Sequence, residues 1–284
     1  MSRVTLLVTL PLLAILVLGL APLLTIAVWS FWTWDPLTYW ITPDPSIAGY
    51  LDILNAGRWT VLVGTLGKSL LAAVLCLILA YPLAYAIHFL AGRRMALFLM
   101  AAITIPFFTS DLIRAFSWRL VLGRTGPIND FLVGAGLTAA PLDWLLFSNF
   151  AVMVGLVASY MPFAAFPLLL AMPRVEPNIL ASAQDLGAGF WRIVRTIIVP
   201  LTLPGLSAGF LFVFVMVVGS STEVQMLGGA GASIVSVMVN DVMRVANFPL
   251  AFAISTVVLL LLLGLVLIGN RLFGLSRLFD GATQ

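Results

Sequence analysis

Long runs of apolar residues, separated by short polar stretches, dominate the pattern along the chain. Each run is close to or above the ~20 residues that a helix needs to cross a bilayer. Because the runs are much longer than the strands of a transmembrane barrel, the pattern predicts helices. The predicted spans cover residues 5–32, 61–90, 95–118, 149–172, 199–224 and 249–270.

The composition supports an integral membrane protein. Of the 284 residues, 62% are hydrophobic and 9% are charged, and the mean hydropathy is +1.15. A soluble domain of this length needs far more charge to cover its surface. The fold class predicted here is therefore an all-α membrane protein with six transmembrane helices. A net charge of +3 is too small and too dispersed to indicate nucleic acid binding.

The distribution of charge predicts an orientation. If the N-terminus is inside, the cytoplasmic segments hold eight of the 14 basic residues and three of the 11 acidic ones. An excess of arginine on the cytoplasmic side is the usual bias of membrane proteins, so both termini are predicted to be cytoplasmic. The first run stays apolar well beyond the core of a signal peptide and is interpreted as a retained anchor.

Residues with catalytic chemistry are scarce. One cysteine, Cys76, and one histidine, His88, exclude a disulfide framework and a metal site with several Cys or His ligands. They also leave a membrane enzyme without a nucleophile–base pair, so no catalytic, cofactor-binding or metal-binding residue is predicted. A secondary transporter remains the main alternative to an ATP-driven one, although the inverted repeats typical of that class are not evident.

The stretch GTLGKS, residues 64–69, ends like a phosphate-binding loop. That loop needs a glycine separated by four residues from the Gly-Lys-Ser triplet, and Leu62 stands there instead. The apolar residues on both sides are too numerous for a strand and a turn. Lys68 is therefore predicted to lie near the end of a membrane helix, with its ammonium group reaching for water.

The one long cytoplasmic connection, residues 173–198, is amphipathic. A helix is predicted over 178–186, with Ile179, Ala183 and Leu186 on one face, and Gly187 ends it. A second short amphipathic piece follows before the fifth span. Two short helices at a turn fit a knob that presses on a cytoplasmic partner, and they fit equally an interfacial hairpin without a partner.

This connection resembles the signature of bacterial ABC-importer permeases. The signature runs Glu-Ala-Ala, three residues, Gly, nine residues and Ile-x-Leu-Pro, and the chain has ASA at 181–183, Gly187 and IIVP at 197–200. The spacing is intact, but Ala181 stands where the family has glutamate. Four other stretches are similar to the spermidine/putrescine-type branch of the family, namely residues 79–87, 111–137, 160–172 and 247–255.

The resemblance implies an architecture and a set of partners. It implies a type I permease core over 61–271 with cytoplasmic coupling helices, after an N-terminal helix and periplasmic segment over 1–60 and before a tail over 272–284. In the bacterial inner membrane such a chain pairs with a second, similar permease (a heterodimer is favoured), a periplasmic solute-binding protein and two ATPase subunits that bind ATP and Mg. The residues implied in coupling to the ATPase are Ala181, Ala183, Asp185, Leu186 and Gly187.

Polar side chains inside the predicted spans are candidates for a translocation path. Asp111, Arg114 and Trp118 share one helix face at i, i+3 and i+7. A charge within a span is costly and normally faces the bundle or a watery cavity. An ion pair at the outer interface, with a tryptophan anchor, explains the same three residues.

Two tyrosines and one glutamate complete the candidates for the path. Tyr81 and Tyr85 flank Pro82 at a predicted kink, where core packing is favoured over a role in the path. Glu223 is predicted at the outer end of the fifth span. Polyamine permeases of this branch usually carry an acidic residue about eight positions before a Gly-Gly pair, because a polycation needs carboxylates along its path. Ser220 stands there and Glu223 is displaced by three residues, which weakens the assignment to polyamines and leaves opines, amino-acid derivatives, phosphonates and thiamine open as solutes.

Overall fold

The computed structural model describes residues 3–273, which form helices joined by short turns. The end of the predicted tail, from residue 274 onward, lies outside the described residues. In chain order the helices are α1 (Arg3–Trp29), α2 (Ala48–Asn55), α3 (Arg58–Tyr85), α4 (Arg93–Thr104), α5 (Asp111–Val121), α6 (Pro127–Gly134), α7 (Asn149–Ala171), α8 (Pro177–Asp185), α9 (Phe190–Ile193), α10 (Val199–Gly219), α11 (Thr222–Leu227), α12 (Val235–Arg244) and α13 (Phe248–Phe273).

Four described helical segments are long and apolar enough to cross a membrane. They are Arg58–Leu90, Asn149–Arg174, Phe190–Gly219 and Phe248–Gly269. These segments confirm the predicted spans at 61–90, 149–172, 199–224 and 249–270, although the third of them begins at Phe190 rather than at 199. The span predicted over 5–32 falls on α1, whose described apolar part, Leu13–Trp29, is shorter than the other four.

The third predicted span, 95–118, is broken, and the prediction of one continuous helix is wrong. Helix α4 gives way to a 3-10 turn, Ile105–Phe108, and α5 leaves at an angle of 103°. Pro106 lies in this turn, and proline both removes a backbone donor and clashes with the preceding helical turn. Together α4 and α5 are a fifth candidate span or a re-entrant loop.

Among the described residues, one compact unit comprises Val63–Ser236 and 264–273, with α7 against α10 at its centre. Small residues allow α7 and α10 to approach each other closely. A Cβ atom added to Gly205 would lie 2.5 Å from Ala171 Cβ, and one added to Gly209 would lie 3.0 Å from the Ala164 carbonyl oxygen. Close backbone approach is how helices gain packing energy in lipid, where the hydrophobic effect gives little.

The other compact unit contains the chain up to Leu62 and Val237–Leu263. A two-stranded antiparallel hairpin, β1 (Thr33–Trp34) and β2 (Ile41–Thr42), follows α1 and is a small exception to the predicted all-α fold. Asp35 shapes its tip, because the Leu37 amide (2.9 Å) and the Thr38 hydroxyl (2.7 Å) both donate to its carboxylate. These bonds lower the pKa of Asp35 below its usual value.

Candidate functional site

Arg114 fastens the break between α4 and α5 to α7. Its Nε donates to Ser159 Oγ at 2.8 Å, one terminal nitrogen donates to the Pro106 carbonyl at 3.0 Å, and the other pairs with the Asp111 carboxylate. The Arg114 side chain is 14% exposed, whereas that of Asp111 is 61% exposed. The guanidinium group is therefore occupied by protein groups, while most of the Asp111 carboxylate remains accessible.

A cavity of about 190 Å³ lies beside this network. Since a water molecule occupies about 30 Å³ in the liquid, the space suits a few waters or one small polar group. The polar side chains that line it are Thr109, Asp111, Arg114, Ser159 and Tyr160.

Trp118 shares the predicted face of α5 with the ion pair but lines two other cavities. It meets Arg114 at a neighbouring cavity of about 290 Å³, and it also lines an apolar groove of about 720 Å³ between α3, α4 and α7. The structure thus brings Asp111 and Arg114 together at one polar cavity, and Trp118 at the boundary between polar and apolar surroundings.

Glu223 is buried on a separate short helix. The sequence predicts it at the outer end of the fifth span, but α10 ends at Gly219 and Glu223 belongs to α11. The residue is 1% exposed, and its Oε2 accepts a hydrogen bond from the Ser220 hydroxyl at 2.5 Å. Its Oε1 has no hydrogen-bond partner among the described residues. A carboxylate oxygen without a partner is costly in apolar surroundings, so Glu223 Oε1 is a candidate acceptor for a bound donor.

Tyr160, on α7, connects the buried glutamate to the ion pair. It lines the same cavity as Asp111 and Arg114, and on the same helix a Cβ atom added to Gly155 would lie 3.6 Å from Glu223 Cγ. Two carboxylates, one guanidinium group and one phenol therefore form one group, which we call the polar network. Sequence reasoning missed the contribution of α7, although two adjacent hydroxyl residues, Ser159 and Tyr160, in the middle of an apolar run were a visible signal.

Tyr81 and Tyr85 lie elsewhere, at the base of the 173–198 connection. Both pack against a buried cluster of Val175, Ile193 and Ile198. The Tyr81 hydroxyl is 3.2 Å from Thr202 Oγ1, and the Tyr85 ring is 4.9 Å from that of Phe89. The structure does not bring these tyrosines to the polar network.

The first helix of the 173–198 connection forms as predicted. Helix α8 ends at Asp185 with Leu186 as its cap, and Gly187 takes a φ of +78°, a left-handed conformation that favours glycine. The second predicted helix is not separate, because α9 continues through a π-helical turn, Val194–Ile198, into α10. The prediction of two short surface helices is wrong for this second piece, which is the beginning of a span.

Large apolar side chains are exposed where α8 meets α9. Leu186 is 88% exposed, Trp191 76% and Phe190 56%, and we call these three residues the loop knob. Ala183, predicted on the same face as Leu186, instead packs inward against the buried cluster. Ala181 and Asp185 are exposed beside the knob. Trp191 was missed, since the sequence indicated only an amphipathic piece there.

Lys68 lies inside α3, and its surroundings differ from those predicted. Its ammonium group donates to the Ser233 carbonyl at 3.0 Å, and the residue is partly exposed. Within residues 3–273, no group of three or more His, Cys, Asp or Glu side chains is arranged to hold a metal ion.

Relatives of known class cover most of the chain. No protein-family model matches it. It is 31% identical over 257 residues to the spermidine/putrescine transport system permease protein PotB of Haemophilus influenzae, covering 89% of each chain. It is 30% identical over 224 residues to PotB of Escherichia coli, covering 78% of this chain and 80% of that one. The inner membrane ABC transporter permease protein YdcU of Escherichia coli is 26% identical over 250 residues, covering 84% of this chain and 80% of that one.

A solved structure has the same fold at much lower identity. A chain of a bacterial alginate ABC transporter, in complex with an alginate pentasaccharide-bound periplasmic protein, matches with a TM-score of 0.73 at 16% identity. The match covers 94% of this chain and 92% of that one. The all-helical fold is therefore that of an ABC importer permease. With the sequence identity over 89% of its length, this chain belongs to the family of ABC transporter permeases that includes the PotB proteins.

Proposed function

We propose that this permease subunit of a binding-protein-dependent ABC importer conducts a small cationic solute of the polyamine class across the inner membrane. Permeases of this family are multi-pass membrane subunits and are not themselves ATPases, so ATP is hydrolysed on separate subunits. Within the range of solutes left open by the sequence, the polar network and the relatives named for spermidine and putrescine support polyamines.

The buried Glu223 carboxylate carries this proposal. Its free oxygen lacks a hydrogen-bond donor, and an ammonium group is a donor of the complementary charge. The sequence has Ser220 where polyamine permeases usually have an acid, which argued against a polycation. Because the Ser220 hydroxyl donates to Glu223 at 2.5 Å, an acidic group does lie at that position, supplied from three residues further on.

The remainder of the polar network supports a cation with more than one amino group. Asp111 offers a second carboxylate that is mostly accessible, and the Arg114 guanidinium group is engaged by three protein groups. The network thus contains two carboxyl groups and one guanidinium group. In this proposal Glu223 and Asp111 bind ammonium groups, Arg114 holds the helix break in shape, and Trp118 and Tyr160 line the path.

We assign the loop knob to the contact with an ATPase subunit. Ala181 supplies no carboxylate for a salt bridge, so the contact depends on Leu186 and Trp191, with Asp185 as the nearby charge. Burial of one leucine is worth about 1.5–3 kcal/mol, which is enough to decide the stability of a marginal contact. Ala183 and Gly187 act indirectly here, the first by packing α8 on the buried cluster and the second by setting the turn.

The assembly and topology that we propose follow the family. Six spans are reached if α1 and the broken pair α4–α5 each cross, and the 27 residues of α1 are about 40 Å long at 1.5 Å per residue. Both termini are cytoplasmic in this proposal, in accord with the excess of arginine on that side. Two ATPase subunits, a second permease in a heterodimer and a periplasmic binding protein complete the importer.

Reconstitution tests the solute class. The complete importer would be placed in proteoliposomes with its binding protein, and ATP hydrolysis and uptake would be measured with putrescine, spermidine, a neutral amino acid and a dicarboxylate. We expect the two polyamines to stimulate both activities and the dicarboxylate to stimulate neither. Stimulation by the dicarboxylate alone would refute a cationic solute, and uptake that persists without ATP would indicate secondary transport.

A further inference from the structure

Two side chains of α3 hold the segment between α11 and α12. Thr65 and Lys68 lie one helical turn apart, and Thr65 is 1% exposed. Thr65 Oγ1 accepts a hydrogen bond from the Val235 amide at 2.9 Å, and Lys68 Nζ donates to the Ser233 carbonyl at 3.0 Å. Each bond therefore joins α3 to a residue more than 160 positions away in the chain.

The segment that these bonds hold, residues 228–236, consists of a 3-10 turn, Gly229–Gly231, a short irregular stretch and the first two residues of α12. It contains Gly228, Gly229 and Gly231, and Gly229 takes a φ of +62°. Glycine has more conformational freedom to lose than any other residue, so such a segment does not select one conformation by itself. Contacts with the rest of the unit must select it.

A short chain of hydrogen bonds connects this segment to the carboxylate of the polar network. The Ser236 hydroxyl donates to the Ser220 carbonyl, and the Ser220 hydroxyl donates to Glu223 Oε2 at 2.5 Å. A displacement of residues 233–236 would therefore remove a bond from Ser220, which in turn orients Glu223.

We propose that Thr65 and Lys68 are positioning residues that fix segment 228–236 and thereby hold the Glu223 carboxylate in its orientation toward solute. This inference rests on the proposed role of Glu223. It also gives a physical role to Lys68, the lysine of the Gly-Lys-Ser triplet. A lysine inside a span is costly unless a polar group satisfies it, and the carbonyl of Ser233 is such a group.

Matched substitutions distinguish the effect of losing each hydrogen bond from the effect of changing the volume of the side chain. Lys68→Met removes the donor and keeps an apolar stem, whereas Lys68→Arg keeps a donor. Thr65→Val removes the hydroxyl and keeps the shape, whereas Thr65→Ser keeps the hydroxyl. Ser69→Ala is the control, because Ser69 is fully buried on the same helix and its hydroxyl has no hydrogen-bond partner among the described residues.

The first measurement is solute-dependent ATP hydrolysis by the reconstituted importer, with putrescine as the probe. We expect Lys68→Met and Thr65→Val to raise the KM by about three- to tenfold, as the loss of one interhelical hydrogen bond predicts. Lys68→Arg, Thr65→Ser and Ser69→Ala should retain the wild-type KM. In a Glu223→Gln background, Lys68→Met should raise the KM little further, because the effects of residues that act through the same group are not additive.

The second measurement is hydrogen exchange of residues 228–236 in the assembled importer. Faster exchange at the Val235 amide is expected for Lys68→Met and Thr65→Val, and not for Ser69→Ala. Unchanged exchange would overturn the proposal, and so would faster exchange with an unchanged KM. If Glu223→Gln alone leaves the KM unaltered, the solute site proposed above is refuted, while exchange still decides whether α3 holds the segment.

Discussion

Two regions of one compact unit reverse the usual distribution of polar and apolar groups. In the polar network, Glu223 is 1% exposed and has a carboxylate oxygen without a described partner. In the loop knob, Leu186 and Trp191 are 88% and 76% exposed. A buried unpaired carboxylate is costly in the apolar layer, and an exposed apolar patch marks an interaction site. In the functions proposed above, the first region binds a small cation and the second binds an apolar protein surface, so the two sites have opposite chemistry.

The two regions are also fixed in different ways. Hydrogen bonds to named atoms hold the polar network, such as those from Arg114 to Ser159 and Pro106. Apolar packing on Val175, Ile193 and Ile198 holds the base of the loop knob, and a single glycine sets its turn. We therefore expect the function of the polar network to change when a single hydrogen-bonding atom is removed. The function of the loop knob should change when its apolar surface is altered or when the angle of its turn changes.

The largest effect is expected for Leu186→Asp. The substitution removes the burial of a leucine, about 1.5–3 kcal/mol, and adds a carboxylate that the contact leaves without a partner. Co-purification of the ATPase should fall by more than about 100-fold, while membrane insertion stays normal because Leu186 is exposed. Leu186→Met is the control and should retain the ATPase. Full retention by Leu186→Asp would show that the knob is not a docking surface.

Removing the charge of Glu223 should affect transport and leave ATPase docking intact. A hydrogen bond to a charged group is worth about 1.5–3 kcal/mol, so Glu223→Gln should lower putrescine uptake about 10- to 150-fold. The amount of co-purified ATPase should equal that of wild type. If uptake and docking fell together, the two regions would not be separable and the comparison would fail.

Gly187→Val should distort the turn beneath the loop knob. A β-branched residue at a φ of +78° is strained by about 1–3 kcal/mol, so α8 should tilt and solute-stimulated ATP hydrolysis should fall about tenfold. Gly187→Asn should be milder, since asparagine tolerates this conformation. Gly189→Ala should be neutral, because Gly189 has a φ of −71° and open space around it. Equal activity of all three variants would exclude the turn as a coupling element.

The smallest effect is expected for Arg114→Lys. A single ammonium group does not reproduce the fork that joins Ser159, Pro106 and Asp111. Loss of one or two interhelical bonds should raise the KM for putrescine about three- to tenfold. Arg124→Lys is the control, because the Arg124 side chain is 70% exposed and its ion pair with Asp143 is worth little. A KM equal to that of wild type would remove Arg114 from the polar network.

Much of the fold could be predicted because bilayer thickness sets helix length. The apolar runs at 61–90 and 149–172 differ from the observed segments by three residues or fewer at each end. The break at Pro106 was not predictable from hydropathy, because the mean hydropathy of a stretch is the same whether it forms a bent pair of helices or one straight helix. The early start of the third described span at Phe190 was missed because Arg192 and Arg195 made that stretch look amphipathic.

The candidate site was predictable only in part. Spacing correctly paired Asp111 with Arg114, because residues at i and i+3 share a helix face. It could not place Glu223 beside α7, or join Lys68 to Ser233, since these contacts link segments that are far apart in the chain. The sequence did not predict which of these side chains is exposed. Ala183 and Leu186 fit one helical face by their spacing, and yet Ala183 packs on the buried cluster while Leu186 is exposed.

The apolar character of the loop knob has a thermal consequence. Contacts made by charges weaken as salt is added, whereas apolar contacts weaken as the temperature falls. A permease whose docking surface depends on Leu186 and Trp191, with alanine at position 181, should therefore keep its ATPase in concentrated salt and release it in the cold. For such an importer, chilling rather than ionic strength would limit the supply of energy to the membrane.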